Sequence, residues 1–313
     1  MAVQLVSFQN GRMVVEPEGR AYLSMIGNQR PGVISVMGEV RQGKSTLCGL
    51  LIDRDDVFER SNGSNSKTEG LWISCASPPP ISDATTAILD WNLGNVQPAP
   101  MLVVDTQGSN GVGQENSRDF HIYAISVLIS SVCVYNTKGC MSNSFISGLS
   151  VAGQIAASIV DCDTTSTQSK LPVSRLICVL RDFGDLRLQD AHGADLDPRA
   201  YMEDVIDRSD GAELIRSLHS DRYCVTVPRP TDPSSGVFQE EFMSQVHSIK
   251  ALCHEAPKKL TGTELLALLD HYVSCYNSGG LPSFKGGSLQ PLVLLCTLRW
   301  LVGHVKMFDS SCV

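Results

Sequence analysis

Gly38-Glu39-Val40-Arg41-Gln42-Gly43-Lys44-Ser45 is an uninterrupted G-x-x-x-x-G-K-S. A loop of this form wraps backbone N–H groups around the phosphates of a nucleotide, its Lys reaching the outer phosphates and its Ser hydroxyl reaching Mg²⁺. The flanks fit that chemistry. Val33-Ile34-Ser35-Val36-Met37 reads as a short buried strand entering the loop, and Ser45 through Ile52 reads as a helix. Leu47, Leu50 and Leu51 fall on one face of that helix at i, i+3 and i+4. The helix N-terminus adds free N–H groups and a favourable dipole to anion binding. Residues Gly38 to Ser45, with Thr46 in the first helical turn, are therefore candidate nucleotide ligands.

Pro98–Pro100 opens Met101-Leu102-Val103-Val104-Asp105, a continuous apolar run ending in a carboxylate. Further apolar runs stand at Ser131–Tyr135, Leu176–Leu180 and Tyr223–Val227, separated by helix-length segments. Strands without alternation, spaced by helices, indicate a doubly wound, mostly parallel α/β sheet with helices on both faces. The first thirty residues suggest a short strand, a turn at Asn10-Gly11 and a helix from about Glu18 to Ile26. Arg60–Thr68 is a polar loop rich in Ser, Asn and Gly. Two amphipathic helices follow the sheet, one with Phe238, Phe242, Val246 and Ile249, the other with Leu265, Leu266, Leu269 and Val273, stopping at Gly279-Gly280.

The 313 residues, 42% hydrophobic and 19% charged, have the composition of an ordinary globular chain. A formal charge of −8 argues against a general nucleic-acid-binding surface, which needs basic patches. The eleven cysteines are scattered, with no C-x-x-C pair, and several sit in apolar runs, as Cys178 does in Leu176-Ile177-Cys178-Val179. Buried reduced thiols in a cytoplasmic protein are expected, and no signal peptide is visible. The sequon Asn62-Gly63-Ser64 is then incidental.

Phosphoryl transfer to water needs a phosphate cradle, a metal, a device for developing charge and an oriented water. Lys44 and Ser45 supply the first parts. Asp105, ending a buried strand before Thr106-Gln107-Gly108, fits the second-strand carboxylate that holds Mg²⁺, and Gly108 leaves room for backbone to approach the γ-phosphate. Thr68, in the polar loop, is placed to close over the same ion, giving Ser45, Thr68 and Asp105 as candidate metal ligands. Arg41, inside the loop, reads either as a charge donor to the transition state from the same chain or as a solvated loop residue. No Asn-Lys-x-Asp tetrad follows a strand. Arg181-Asp182, after Leu176–Leu180, offers a carboxylate that could accept from guanine N1–H and its exocyclic amine, although a surface ion pair has the same spelling.

Taken together, the loop with its internal Arg, Ser66-Lys67-Thr68-Glu69-Gly70-Leu71-Trp72, Asp105-Thr106-Gln107-Gly108 and Leu180-Arg181-Asp182-Phe183 resemble the guanylate-binding protein and atlastin group of dynamin-like large GTPases. The similarity runs from about Val3 to Pro282 and includes Val134-Tyr135-Asn136, Asp197-Pro198-Arg199-Ala200-Tyr201 and Arg229-Pro230. The resemblance implies a cytoplasmic GTPase with a P-loop domain, GTP as substrate and Mg²⁺ as cofactor. It assigns Lys44, Ser45, Lys67, Thr68, Asp105 and Gly108 to phosphate and metal, Arg41 to an internal arginine finger, Ser66 and Gln107 to the attacking water, and Arg181 with Asp182 to guanine. Gln107 is the atlastin choice where guanylate-binding proteins usually carry Glu. It also implies a homodimer formed through the nucleotide face. The rival reading is a non-catalytic, GTP-regulated interaction module.

A GTPase domain over residues 1–285 and a short helical tail over 286–313, with no helical stalk, is the expected division. The apolar run Leu292–Phe308 is broken by Arg299, His304 and Lys306, and a span needs about 20 mostly uncharged residues. A helix packed on the domain or against a partner, or one lying on a membrane surface, fits residues 291–308. Cys312 is next to last, whereas a prenylation box has Cys four from the end, so no lipid anchor motif is expected.

Overall fold

The structure, a computed structural model, describes residues 1–54, 57–59, 68–75, 100–108, 116–161, 174–183, 187–209, 211–229, 236–257, 260–279, 284–285 and 288–289. The strands are β1 (Val3–Gln9), β2 (Arg12–Val15), β3 (Gly32–Met37), β4 (Leu71–Cys75), β5 (Met101–Thr106), β6 (Val132–Lys138), β7 (Arg175–Arg181), β8 (Arg222–Val227), β9 (Phe284–Lys285) and β10 (Ser288–Leu289). The helices are α1 (Pro17–Ile26), α2 (Lys44–Leu51), α3 (Asn116–Ile129), α4 (Asn143–Asp161), α5 (Pro198–Asp207), α6 (Ala212–Leu218), α7 (Gly236–His254) and α8 (Gly262–Asn277).

Eight strands form one sheet in the order β2-β1-β4-β5-β3-β6-β7-β8. From β5 to β8 every pairing is parallel. Every residue of β3 and β5 is buried, which explains their unbroken apolar spelling. Alternate side chains of each strand feed two cores. Leu176, Cys178 and Leu180 of β7 join Ile122, Leu149 and Met202 on one face, while Ile177 and Val179 join Leu47, Leu51 and Ile249 on the other.

The remaining edge is antiparallel: β4 pairs with β5 and with β1, and β1 forms a hairpin with β2. Asn10 and Gly11, both at positive φ, make the two-residue turn. The sequence reading anticipated neither β2 nor β4. Leu71–Cys75 is held by partners from Val3–Val6 and Leu102–Thr106, pairings that lie outside any local window.

Two caps set helix boundaries. The Asp197 side chain accepts from Ala200 N at 2.9 Å, with Pro198 opening α5. Thr261 and Glu264 form a reciprocal capping box on α8. Residues 284–285 and 288–289 pair as antiparallel strands across the boundary expected at 285/286, and the run 291–308 lies outside the described residues. No described helix is long and apolar enough to cross a membrane. Of the described cysteines, Cys48, Cys75, Cys133, Cys178 and Cys253 are buried and Cys140 is exposed.

Candidate functional site

The strand β3 lies between β5 and β6, so successive connections leave it in opposite directions and open a crevice at the carboxyl ends of the strands. The loop 38–43 leaves β3 at that crevice. Asp105 and Gln107 arrive there from β5, and Arg181 and Asp182 from β7.

The loop is packed from below. The Tyr123 hydroxyl donates to Gly38 O at 3.0 Å and accepts from Gly38 N at 3.2 Å. Gly38 has φ 145°, and a Cβ there would sit 2.2 Å from Asn136 O, so only glycine fits. Gln42 is the hub. Its carbonyl accepts from Asn136 Nδ2 at 2.5 Å and from Arg181 Nη2, and its side chain accepts from Lys138 N at 2.7 Å and donates to Glu39 Oε2 at 2.9 Å. These ties hold the turn in which Arg41 takes φ 63° with its side chain exposed.

Lys44 is 6% exposed, and its Nζ donates to Glu39 O at 2.9 Å, bending back over its own loop. Burial lowers its pKa, and the Asp105 carboxylate opposes that change. Gly108 lies directly against this group: a Cβ there would be 2.6 Å from Lys44 Nζ and 2.6 Å from Val40 Cα. The carboxyl-terminal end of β5 and the phosphate loop therefore abut at this residue.

Asp105 collects two hydroxyls on one oxygen. Ser45 Oγ donates to its Oδ2 at 2.6 Å and Thr68 Oγ1 at 3.3 Å, while Cys48 Sγ donates to Oδ1 at 3.7 Å. Burial raises the Asp105 pKa, and the bond from Ser45 is the largest opposing influence. Two hydroxyls and a carboxylate form a hard, all-oxygen donor set of the kind that suits Mg²⁺, with the neighbouring Lys44 supplying a cation for phosphate. The residues present fit a magnesium-bound phosphate group.

Other expected residues are placed differently. Gln107 is 5% exposed with both ends of its amide engaged: Oε1 accepts from Gly70 N at 3.0 Å and Nε2 donates to Asp119 Oδ1 at 3.1 Å. Its amide is a staple joining Gly70, just before β4, to the end of β5 and to α3. Arg181 lies against Gly43 and donates to the Gln42 carbonyl, so it buttresses the loop. Asp182 takes φ 53°, and its Oδ2 lies 3.4 Å from Lys138 Nζ at the end of β7. Ser66 and Lys67 lie outside the described residues. Thr46 is half-buried in α2, and Glu39 also accepts from Ser142 Oγ at 3.4 Å.

Asn136, Lys138, Tyr123 and Asp119 were given no role in the sequence reading. Val134-Tyr135-Asn136 did signal part of this, since a polar residue ending an apolar strand faces the crevice edge, but its partner in the phosphate loop is 94 residues away.

Comparison with known proteins places this geometry in a family. The profile described as "Guanylate-binding protein, N-terminal domain" matches residues 10–244. Guanylate-binding protein 2 of Rattus norvegicus is 25% identical over 322 residues, covering 91% of this chain and 51% of its own length. Guanylate-binding protein 1 of Mus musculus is 24% identical over 323 residues, with the same two coverages. The chain thus spans about half the length of the curated relatives it matches. Among solved structures, the bacterial selenocysteine-specific elongation factor EF-Sec overlaps 70% of this chain and 29% of its own at 15% identity, with a TM-score of 0.34. The profile match spans most of the chain and takes in the phosphate loop, Thr68, Asp105 and Asp182, and the chain belongs to the guanylate-binding protein N-terminal domain family.

Proposed function

We propose that this domain binds GTP with Mg²⁺ and hydrolyses it to GDP and phosphate. The observation that carries the reading is the convergence of Lys44, Ser45, Thr68 and Asp105 at the mouth of one loop, with Asp182 at the same end of the sheet after β7, two strands from β3. Water attacks the γ-phosphorus, the bond to the β–γ bridging oxygen breaks, and the water's proton passes to phosphate or solvent as GDP leaves. Lys44 exchanges the Glu39 carbonyl for outer-phosphate oxygens, a stronger, charge-assisted contact. Ser45, Thr68 and Asp105 are the residues that would hold Mg²⁺, which when bound would neutralise phosphate charge. Arg41, exposed beside the loop, supplies positive charge as the leaving group departs. Asp182 accepts from guanine N1–H and its amine, contacts that adenine lacks. A second copy of the chain meeting the nucleotide face orders Arg41, a reading supported by family membership alone.

Equilibrium titration with fluorescent GTP and ATP analogues tests the binding half. Tight, Mg²⁺-dependent GTP binding, weak ATP binding and loss of both in Lys44→Ala are expected. Unchanged affinity in Lys44→Ala would place the site elsewhere. Binding without any phosphate release would make the domain a GTP-regulated interaction module.

A further inference from the structure

Gln107 is held from two directions. Its backbone N donates to Gly70 O at 2.9 Å and its Oε1 accepts from Gly70 N at 3.0 Å, so it clamps the residue two positions after Thr68. Its Nε2 donates to Asp119 Oδ1 at 3.1 Å. Gln107 is followed directly by Gly108, which lies against Lys44 and Val40. One amide therefore sets the spacing between the Thr68 segment and the phosphate loop, and a carboxylate on α3 fixes which way that amide faces.

The helix carrying Asp119 is itself pinned. His121 Nδ1 lies 3.0 Å from the Tyr272 hydroxyl, which donates to His121 O at 3.2 Å. The His121 ring meets Tyr276 edge-on at 4.7 Å, and the Arg118 guanidinium lies 5.4 Å over Phe8. Contacts from β1 and α8 thus fix α3 at the turn that bears Asp119. Asp119 is 2% exposed, and a buried carboxylate is costly unless its bonds are made. A side chain locked by packing and aimed at another by a hydrogen bond is the arrangement that preorganises a site.

We propose that Asp119 is a positioning residue for the hydrolysis proposed above: through Gln107 it holds the Thr68–Gly70 segment and Gly108 at the spacing the phosphate site requires. The role rests on the GTPase reading. It carries a signature that a purely electrostatic role lacks. The Asp119 carboxylate is coupled to the phosphate site through the Gln107 amide. Neutralising it would by charge alone ease polyphosphate binding, whereas loosening the staple lowers turnover.

The test compares wild type, Asp119→Ala and Asp119→Asn by three readouts: affinity for a non-hydrolysable GTP analogue, turnover at saturating GTP, and exchange of the Gly70 amide in nucleotide-free protein. Asp119→Ala should lose about tenfold in turnover while its affinity stays within about threefold. Its Gly70 amide should exchange about tenfold faster, since that N–H depends on the Gln107 oxygen. Asp119→Asn keeps an acceptor for Gln107 and should recover most of the turnover and protection. Gln107→Leu, which removes both side-chain contacts at similar volume, should match Asp119→Ala in exchange and serves if that variant does not fold. Turnover in Asp119→Ala within about twofold of wild type, parallel loss of affinity and turnover, or no recovery in Asp119→Asn overturns the role. Absence of wild-type turnover overturns the hydrolysis reading and this role with it, while the exchange data still report whether the staple exists.

Discussion

Gly108→Ala puts one methyl group where the end of β5 meets the phosphate loop. The added Cβ would lie 2.6 Å from Val40 Cα, 2.7 Å from Val40 N and 2.6 Å from Lys44 Nζ. The lysine end can swing aside, but the Val40 atoms are backbone. Ordinary contact begins at 3.4 Å, and parting the two segments by about 0.8 Å would restore it. Gly108 is not among the glycines at positive φ, so the cost is space and not backbone conformation. Overpacking of this kind costs about 1–3 kcal/mol. For a domain of this size each kcal/mol lowers the melting midpoint by roughly 2–4 °C. The larger effect falls on chemistry, because a displacement of about 1 Å in a positioned site is worth up to about 10²-fold in rate. Phosphate release at saturating GTP should drop about 10- to 100-fold, with a melting midpoint a few degrees lower by calorimetry without nucleotide. Turnover at the wild-type level in a folded Gly108→Ala protein would refute the proposed close approach of loop and strand end.

Asp182→Asn replaces an acceptor with an amide that can present a donor, so guanine should lose affinity and xanthine, with oxygen at C2, should gain. Competition between GTP and XTP for a fluorescent nucleotide reads the ratio, and an unchanged ratio removes Asp182 from base recognition. His121 is buried, and desolvation lowers its pKa to about 4. The unfolded chain, near 6.5, then binds the proton first, so this contribution is complete above about pH 6.5 and is lost as pH falls toward 4. Denaturant titrations of wild type should show about 1 kcal/mol less stability from this group at pH 5.5 than at pH 7, because each tenfold difference in proton affinity between the two states is worth about 1.4 kcal/mol. His121→Phe should flatten that slope, and an equal slope in both proteins would remove His121 as its source. Thr261→Ala breaks the capping box of α8 and should cost about 1 kcal/mol in the same titration. A change below the resolution of the titration would mean that the cap adds nothing to global stability.

The strand, loop and helix around residues 33–51 were legible because their contacts are local and their residue types carry steep preferences: glycines for a tight turn, unbroken apolar spelling for a strand buried on both faces. Asp105 was legible for the same reason, as a carboxylate ending such a strand. The antiparallel edge was not. Leu71–Cys75 could pair in either direction, and the choice was settled by β1 and β5, distant in the chain. The family resemblance assigns Gln107 to the attacking water, and the local spelling around it carries no sign of its partners. Its actual engagement depends on Gly70, 37 residues before it, and Asp119, 12 residues after it. Arg181 shows the same limit. An Arg next to an Asp at a strand end can face a base, solvent or another loop, and only the position of Gln42 decides among them.

On the proposed reading, this site turns over GTP with positive charge supplied from within the loop. Its most direct test is phosphate release at saturating GTP and Mg²⁺ by wild type and Arg41→Ala across a range of protein concentrations. An arginine acting on charge that develops only in the transition state affects turnover more than affinity. Such residues are worth about 10³–10⁵ in rate in other GTPases, so Arg41→Ala should be at least about tenfold slower while binding GTP nearly as well. Wild-type specific activity should rise with protein concentration as copies pair, and the variant's rate should stay low and flat. Equal turnover of the two proteins at every concentration, or none from wild type, contradicts the claim.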